Sequence, residues 1–397
     1  MREKILVVRT PLAINPFFFY SLFWIITILL YLISPSRLNM PLDIWVIFFL
    51  VFTIIFSIVL AIKFNIKFKD TRYIIKQRKE NKGILFLLIF GYIMEMVYSH
   101  YVPILLLVNG KMSQYQEFGI PTFHVILVTF SLFYCIENVY IYISFKDKYN
   151  LLVSVICIAY FICIFSRGML VLISVTIGLL ILVEKEIKLK HIVIALLIAI
   201  TGCWLFGVVG NIREGSNWND SSLIMNIAAI PGEKTSIISP FYWTEEYIVC
   251  SLRNLNFNIL YNTPTYKILE FLYMILPDFL SKRLFTSVDT TTIFLRVRNA
   301  LTTPSTYGVI YCSWGYLAML FDYFLYVVVG VYVMHTKYKD GIYMIIVLSI
   351  LSVLFGLTIF DNMLWYSGYS FSIIWGLVLG KMSIEVNKKR KVVLKIY

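Results

Sequence analysis

Charge is scarce in this sequence: 14% of its 397 residues are Asp, Glu, Lys or Arg, against about 25% in an ordinary soluble domain. Histidine is scarcer, with four scattered copies at His100, His124, His191 and His335. The six cysteines, Cys135, Cys157, Cys163, Cys203, Cys250 and Cys312, have no paired or metal-ligand spacing. No metal site and no cofactor are therefore expected, and Cys250 and Cys312 read as free thiols. There is no phosphate-binding glycine loop, no dinucleotide fingerprint and no G-x-S-x-G elbow, which excludes the common soluble enzyme designs. Internal repeats and low-complexity tracts are also missing. Residues 1–16 lead straight into a spanning segment without a small-residue cleavage site, so no cleaved signal is expected.

What the chain has is apolar surface. Hydrophobic residues make up 60% of it and the mean hydropathy is +0.82. No water-soluble fold could bury that much, so the expectation is an all-α, polytopic transmembrane helical bundle. The 31 Phe, 28 Tyr and 8 Trp suit the two interfacial belts of such a protein. The net charge of +13 would suggest nucleic acid in a soluble protein; here it suggests basic cytoplasmic loops, and no nucleic-acid partner is expected.

A helix needs about 20 apolar residues to cross ~30 Å of hydrocarbon. Ten such stretches are read, at 17–34, 43–62, 84–108, 121–145, 150–165, 168–183, 191–210, 309–334, 342–360 and 363–383. The run Leu151–Val183 would be roughly 50 Å long as one helix, too long for a single crossing. Ser166-Arg167-Gly168 breaks it into two. With the N-terminus inside, the cytoplasmic segments hold 24 of the 35 basic residues and the short external loops hold three, Arg37, Lys111 and Arg167. The positive-inside rule then sets both termini in the cytoplasm.

The remaining eight basic residues lie in one long external loop, 211–308, where eight acidic residues balance them. The organisation is 1–210 with about seven spans, the loop 211–308, and 309–397 with about three spans and a basic tail. Within the loop, Phe241, Ile248, Leu252, Leu255 and Ile259 form one helical stripe, which suits an interfacial or cavity-lining helix. Ile268–Leu280, interrupted by Glu270, Pro277 and Asp278, is too short to cross and reads as re-entrant or interfacial.

Arginine grips phosphate through a planar fork of donors. Arg213, Arg253, Arg296 and Arg298 are the candidates for an anionic ligand, against the alternative that each is a solvated or ion-paired loop residue. Tyr242, Trp243 and Tyr247 form an aromatic cluster that suits interfacial anchoring. Glu95, Glu137 and Asp322 lie inside spans, where burial is costly, and read as relay, binding or interhelical hydrogen-bonding groups.

A resemblance enters at Tyr115-Gln116-Glu117-Phe118-Gly119-Ile120-Pro121, with Val102-Pro103 upstream. It looks like the external turn of the O-antigen and oligosaccharide repeat-unit polymerases (Wzy-type). Ser166-Arg167-Gly168, Asn211-Ile212-Arg213-Glu214, and Arg298 followed by Thr302 to Gly308 and Gly315 are similar to further family features in the same order. Some members space arginine and glycine at a fixed interval in two external loops; here nine residues separate Arg298 from Gly308.

The resemblance implies a membrane glycosyltransferase at the outer face of the bacterial inner membrane, using undecaprenyl-diphosphate-linked oligosaccharide as donor and acceptor. It implies catalytic roles for Arg213, Arg296, Arg298 and Glu245, with Glu245, Glu246, Asp289 and Glu117 as candidate general bases, and substrate contacts for Arg253, Arg167, Tyr115, Glu117, Tyr242, Trp243 and Tyr247, the last three as flat faces for sugar rings. The bilayer and a chain-length regulator protein are the other implied partners. The alternatives are a flippase or exporter of lipid-linked oligosaccharide, and an O-antigen ligase.

Overall fold

The computed structural model describes residues 5–6, 14–64, 68–69, 82–108, 118–184, 189–286, 288, 294–335 and 342–393. These residues are helical apart from turns, a two-residue antiparallel pair (Ile5–Leu6 with Phe68–Lys69) and a single bridge between Asp220 and Thr235. Eight helices are long and apolar enough to cross a membrane: Pro16–Ile33 (α1), Ile44–Lys63 (α2), Lys82–Ser99 (α3), Phe123–Phe145 (α5), Arg167–Glu184 (α7), Leu189–Arg213 (α8), Ser305–His335 (α13) and Ile342–Gly356 with its 3-10 extension to Ile359 (α14). Lys148–Cys163 (α6) is apolar but only 16 residues long, and Ser367–Val393 (α15) ends in the basic tail. The transmembrane, all-helical class is thus present; the figure of ten spans is finer than this length criterion supports.

Local chemistry sets several boundaries. Asn15 caps α1 by accepting from the amides of Phe17 and Phe18, with Pro16 in the first turn. Asp43 caps α2 through the amide of Trp45. Lys146 ends α5 in the left-handed conformation. The expected span 84–108 is two pieces, α3 and the short Pro103–Val108 (α4), because the residue before a proline is pushed out of helical geometry. The span expected to begin at 309 instead starts at Ser305 and bends at Trp314-Gly315. Gly315 has φ +62 and ψ −146, a conformation only glycine adopts without strain. The carbonyls of Cys312 and Ser313 at that bend accept from the amides of Thr265 and Tyr266.

Helix α14 is the centre. Its sequence is apolar on all sides, as a fully surrounded helix requires, and 89% of the Ile342–Ile359 span is buried. It packs against α1, α7 and α15. At the periphery, only 6% of the Val193–Arg213 span is buried.

The described residues of the segment 211–304 gather at one end of the bundle. It comprises Ser222–Ile227 (α9), Phe241–Tyr261 (α10), Ile268–Ile275 (α11) and Asp278–Leu284 (α12). Contacts at that end fix it: the amide of Arg37 bonds the Ala229 carbonyl, and that of Asp43 bonds Asn256 Oδ1 at 2.8 Å. On the far side the amide of Asp278 bonds the Trp365 carbonyl at 2.7 Å, and Arg283 Nη2 donates to Thr122 Oγ1. Neither α11 nor α12 is long enough to cross a bilayer.

Candidate functional site

The site is built where the last turns of α8 meet the start of α10. Gly207 allows the approach: a Cβ there would stand 1.8 Å from the Pro240 carbonyl oxygen. Asn211, 2% exposed, then acts as a hub. Its Nδ2 donates to the Trp218 carbonyl at 2.9 Å and to Ser221 Oγ at 3.0 Å, and its Oδ1 accepts from Trp243 Nε1 at 2.6 Å. These bonds fold the 214–240 segment back and fix the Trp243 ring, which packs with Ile224, Met225, Ala228 and Ile230. Tyr242 packs against the same cluster.

One helical turn of α8 leads from Gly210 to Arg213, whose guanidinium lies 5.7 Å from the Trp243 ring centroid. Its Nη2 pairs with Glu214 Oε1 at 2.7 Å, and its Nε donates to the same oxygen at 2.9 Å. Beside it is a cavity of about 210 Å³ lined by residues of α8, α9, α10 and the strip Ala300–Thr303. Arg213, Glu214, Trp243, Glu246, Tyr247 and Cys250 supply its cation, carboxylates, rings and thiol. Burial pushes the Cys250 thiol up to about 11, so it is neutral at pH 7.

Behind the cavity sits a buried ion pair. Arg253 is fully buried, with Nη1 donating to Glu246 Oε1 and Nε donating to Asn39 Oδ1 at 2.9 Å. Arg253 Nη2 and Glu246 Oε2 are buried without hydrogen-bond partners. Burial raises the Glu246 carboxyl to about 7, with the attraction of Arg253 opposing it. The neighbouring Glu245 is also raised, chiefly by burial, with Ser34 and Arg253 opposing; it does not line the cavity.

The strip 294–304 is tied to α10 by asparagines. Asn254 donates to the carbonyls of Leu301 (2.8 Å) and Thr303 (3.0 Å) and accepts from the Val297 amide (3.0 Å). Asn258 donates to the Leu295 carbonyl at 2.7 Å and accepts from its amide at 2.9 Å. Asn256, on another face, donates to the Pro41 carbonyl at 3.0 Å. Sequence reasoning passed over these residues, although four asparagines in the stretch Arg253 to Asn262 are a signal. Asparagine is a poor helix former, and a run of it inside a helix points to side chains recruited for long-range bonds.

Of the residues singled out from sequence, Arg213, Trp243, Glu246 and Tyr247 meet at the cavity, and Tyr242 and Arg253 support it. Arg296 and Arg298 are exposed on the tied strip, outside the lining, which instead takes Ala300 to Thr303. Arg167 is exposed at the start of α7, 5.3 Å from the Phe165 ring, and is not part of the lining. Tyr115, Glu117 and Asp289 lie outside the described residues. All six cysteines are free thiols. Among the described residues no group of three or more His, Cys, Asp or Glu is assembled for a metal.

A second polar cluster lies between α3, α5 and α6. Glu95 is fully buried, pairs with His124 Nδ1 at 3.0 Å and accepts from the Tyr160 hydroxyl. Asp322 is likewise buried, accepting from Thr306 Oγ1 at 2.8 Å and Asn362 Nδ2 at 3.1 Å. No family model, no curated protein and no solved structure matches the chain.

Proposed function

We propose that the protein is a polysaccharide polymerase of the bacterial inner membrane. It joins undecaprenyl-diphosphate-linked oligosaccharide repeat units into O-antigen, capsule or a similar surface glycan. The observation that carries the reading is a cavity lined together by Arg213, Trp243 and the buried Glu246, at the end of the least buried of the eight long apolar helices. A guanidinium suits a departing diphosphate, whose charge grows in the transition state. Aromatic rings suit sugar faces. A helix with 6% of its span buried offers its length to lipid up to the turn that carries Arg213, which fits a substrate with an isoprenoid tail.

The motif order from Val102-Pro103 to Gly315 supports the same reading, as does the distribution of Lys and Arg, which favours ten spans with both termini in the cytoplasm. In this reading an acceptor hydroxyl attacks the anomeric carbon of the growing chain, and lipid diphosphate leaves with the bonding electrons. A chain-length regulator protein and the bilayer are the expected partners. Deletion of the gene, followed by denaturing-gel analysis of the surface glycan, tests the proposal. Loss of a polymerase leaves single repeat units on the lipopolysaccharide core; loss of a flippase or ligase leaves none. An unchanged ladder rules the reading out.

A further inference from the structure

We propose that Glu246 is the proton acceptor of the glycosyl transfer, an assignment that rests on the polymerase reading above. Glu246 is 1% exposed and lines the Arg213 cavity. Its Oε1 is engaged by Arg253, two helical turns further along the same face, and Arg253 is itself held by Asn39. The carboxylate is thereby fixed in orientation with Oε2 buried and unpartnered. An ionised carboxylate is purely an acceptor, and a buried acceptor oxygen is rarely left without a donor. A substrate hydroxyl in the cavity supplies that donor.

The other titratable groups around the cavity do not fit the role. Glu214 is taken up by Arg213, and Arg213 and Arg253 are cations. Cys250 holds its proton. The Tyr247 hydroxyl is engaged by the Arg213 guanidinium. Glu245 also has a buried oxygen without a partner, but it interacts with Ser34 and does not line the cavity. The lining residues of α9 and of the strip Ala300–Thr303 carry no titratable side chain.

The step balances. The acceptor oxygen bonds to the anomeric carbon, the bond from that carbon to the diphosphate oxygen breaks, and its electron pair leaves on the diphosphate beside Arg213. The hydroxyl proton passes to Glu246 Oε2. A carboxyl held near pH 7 by burial combines useful base strength with a substantial ionised fraction.

The test uses full-length Glu246→Gln and Glu246→Asp in the deletion strain, with the exposed Glu233→Gln as control. Glycan is read on gels, and polymerisation in isolated membranes from about pH 5.5 to 8.5. Glu246→Gln is expected to lower the rate about 100-fold or more, with single repeat units accumulating and Glu233→Gln unchanged. The wild-type rate falls as pH drops through about 7, and the residual Glu246→Gln rate lacks that limb. Glu246→Asp retains a charge and the limb at reduced rate, and it carries the test if the glutamine variant does not accumulate. A Glu246→Gln rate within tenfold of wild type, or a limb unaltered in it, overturns the assignment of Glu246 alone. A wild-type glycan in the deletion strain overturns the polymerase reading itself.

Discussion

Gly207 of α8 and Pro240, just before α10, approach so closely that a methyl group on the glycine would stand 1.8 Å from the proline carbonyl oxygen. The contact involves backbone on the Pro240 side, so no side-chain rotation relieves it. Gly207→Ala is expected to destabilise the protein by about 1–3 kcal/mol, the usual range for overpacking, and to displace Trp243 from Asn211. Thermal melting in detergent and the intrinsic fluorescence of Trp243 check it; wild-type values for both would show that α8 yields freely.

Asn254 makes three bonds to the 297–303 backbone. Asn254→Ala leaves the buried Leu301 carbonyl without this donor and frees the half-buried Val297 amide, at about 1–3 kcal/mol. The strip bearing exposed Arg296 and Arg298 should then loosen. Limited trypsin digestion measures this directly, with faster cleavage after Arg296 and Arg298 expected in the variant. Unchanged cleavage kinetics would mean the strip is held by something else.

Arg213→Ala removes the cation beside the cavity while Trp243 keeps its bond to Asn211. The expected result is a loss of polymer of about 100-fold to 1,000-fold, the scale for one preorganised partner of a developing anion, with membrane insertion intact. Arg298→Ala, on the exposed strip, separates the sequence motif from the cavity as the source of function. Long-chain glycan from Arg213→Ala at native expression removes that residue from the mechanism.

The raised Glu246 carboxyl makes stability depend on pH. Its folded value of about 7 exceeds the ordinary 4.5, so the folded state holds the proton more tightly than the unfolded chain. This contribution is complete below about pH 4.5 and is lost as pH rises to about 7. It is worth up to roughly 3 kcal/mol at 1.36 kcal/mol per pH unit. Melting temperatures of wild type should fall across that window more steeply than those of Glu246→Gln. Parallel curves would mean that Glu246 is ionised freely in the folded protein.

Glu95 and His124 join α3 to α5, with Tyr160 of α6 on the same carboxylate. His124→Ala removes one of the two partners of a fully buried acid and is expected to cost about 1–3 kcal/mol, whereas His124→Gln, which can still donate, should cost less. Melting of the two variants in detergent decides it, and equal melting would dismiss the clamp.

Much of the fold was legible in the order of residues. Long apolar runs and their interruptions mark the helices, and the amphipathic stripe from Phe241 to Ile259 marks α10. The break at Pro103 follows from the proline itself, but the bend at Trp314-Gly315 was less legible, since it depends on Thr265 and Tyr266 bonding the carbonyls of Cys312 and Ser313. Of the arginines, Arg213 was legible as a candidate, but its separation from Arg296 and Arg298 was not. Exposure depends on what the strip is tied to, and the tie is Asn254, 43 residues from Val297.

By itself, the sequence determined that this chain is a helical membrane protein with one long polar segment. Apolar length and charge placement act through the solvent, segment by segment, and need no partner from elsewhere in the chain. Only the tertiary structure decided which of two adjacent carboxylates enters the cavity. Glu246 pairs with Arg253, itself bonded to Asn39, 214 residues away, and lines the cavity, whereas Glu245 lies outside the lining; such partners come from distant parts of the chain and exist only once it is folded.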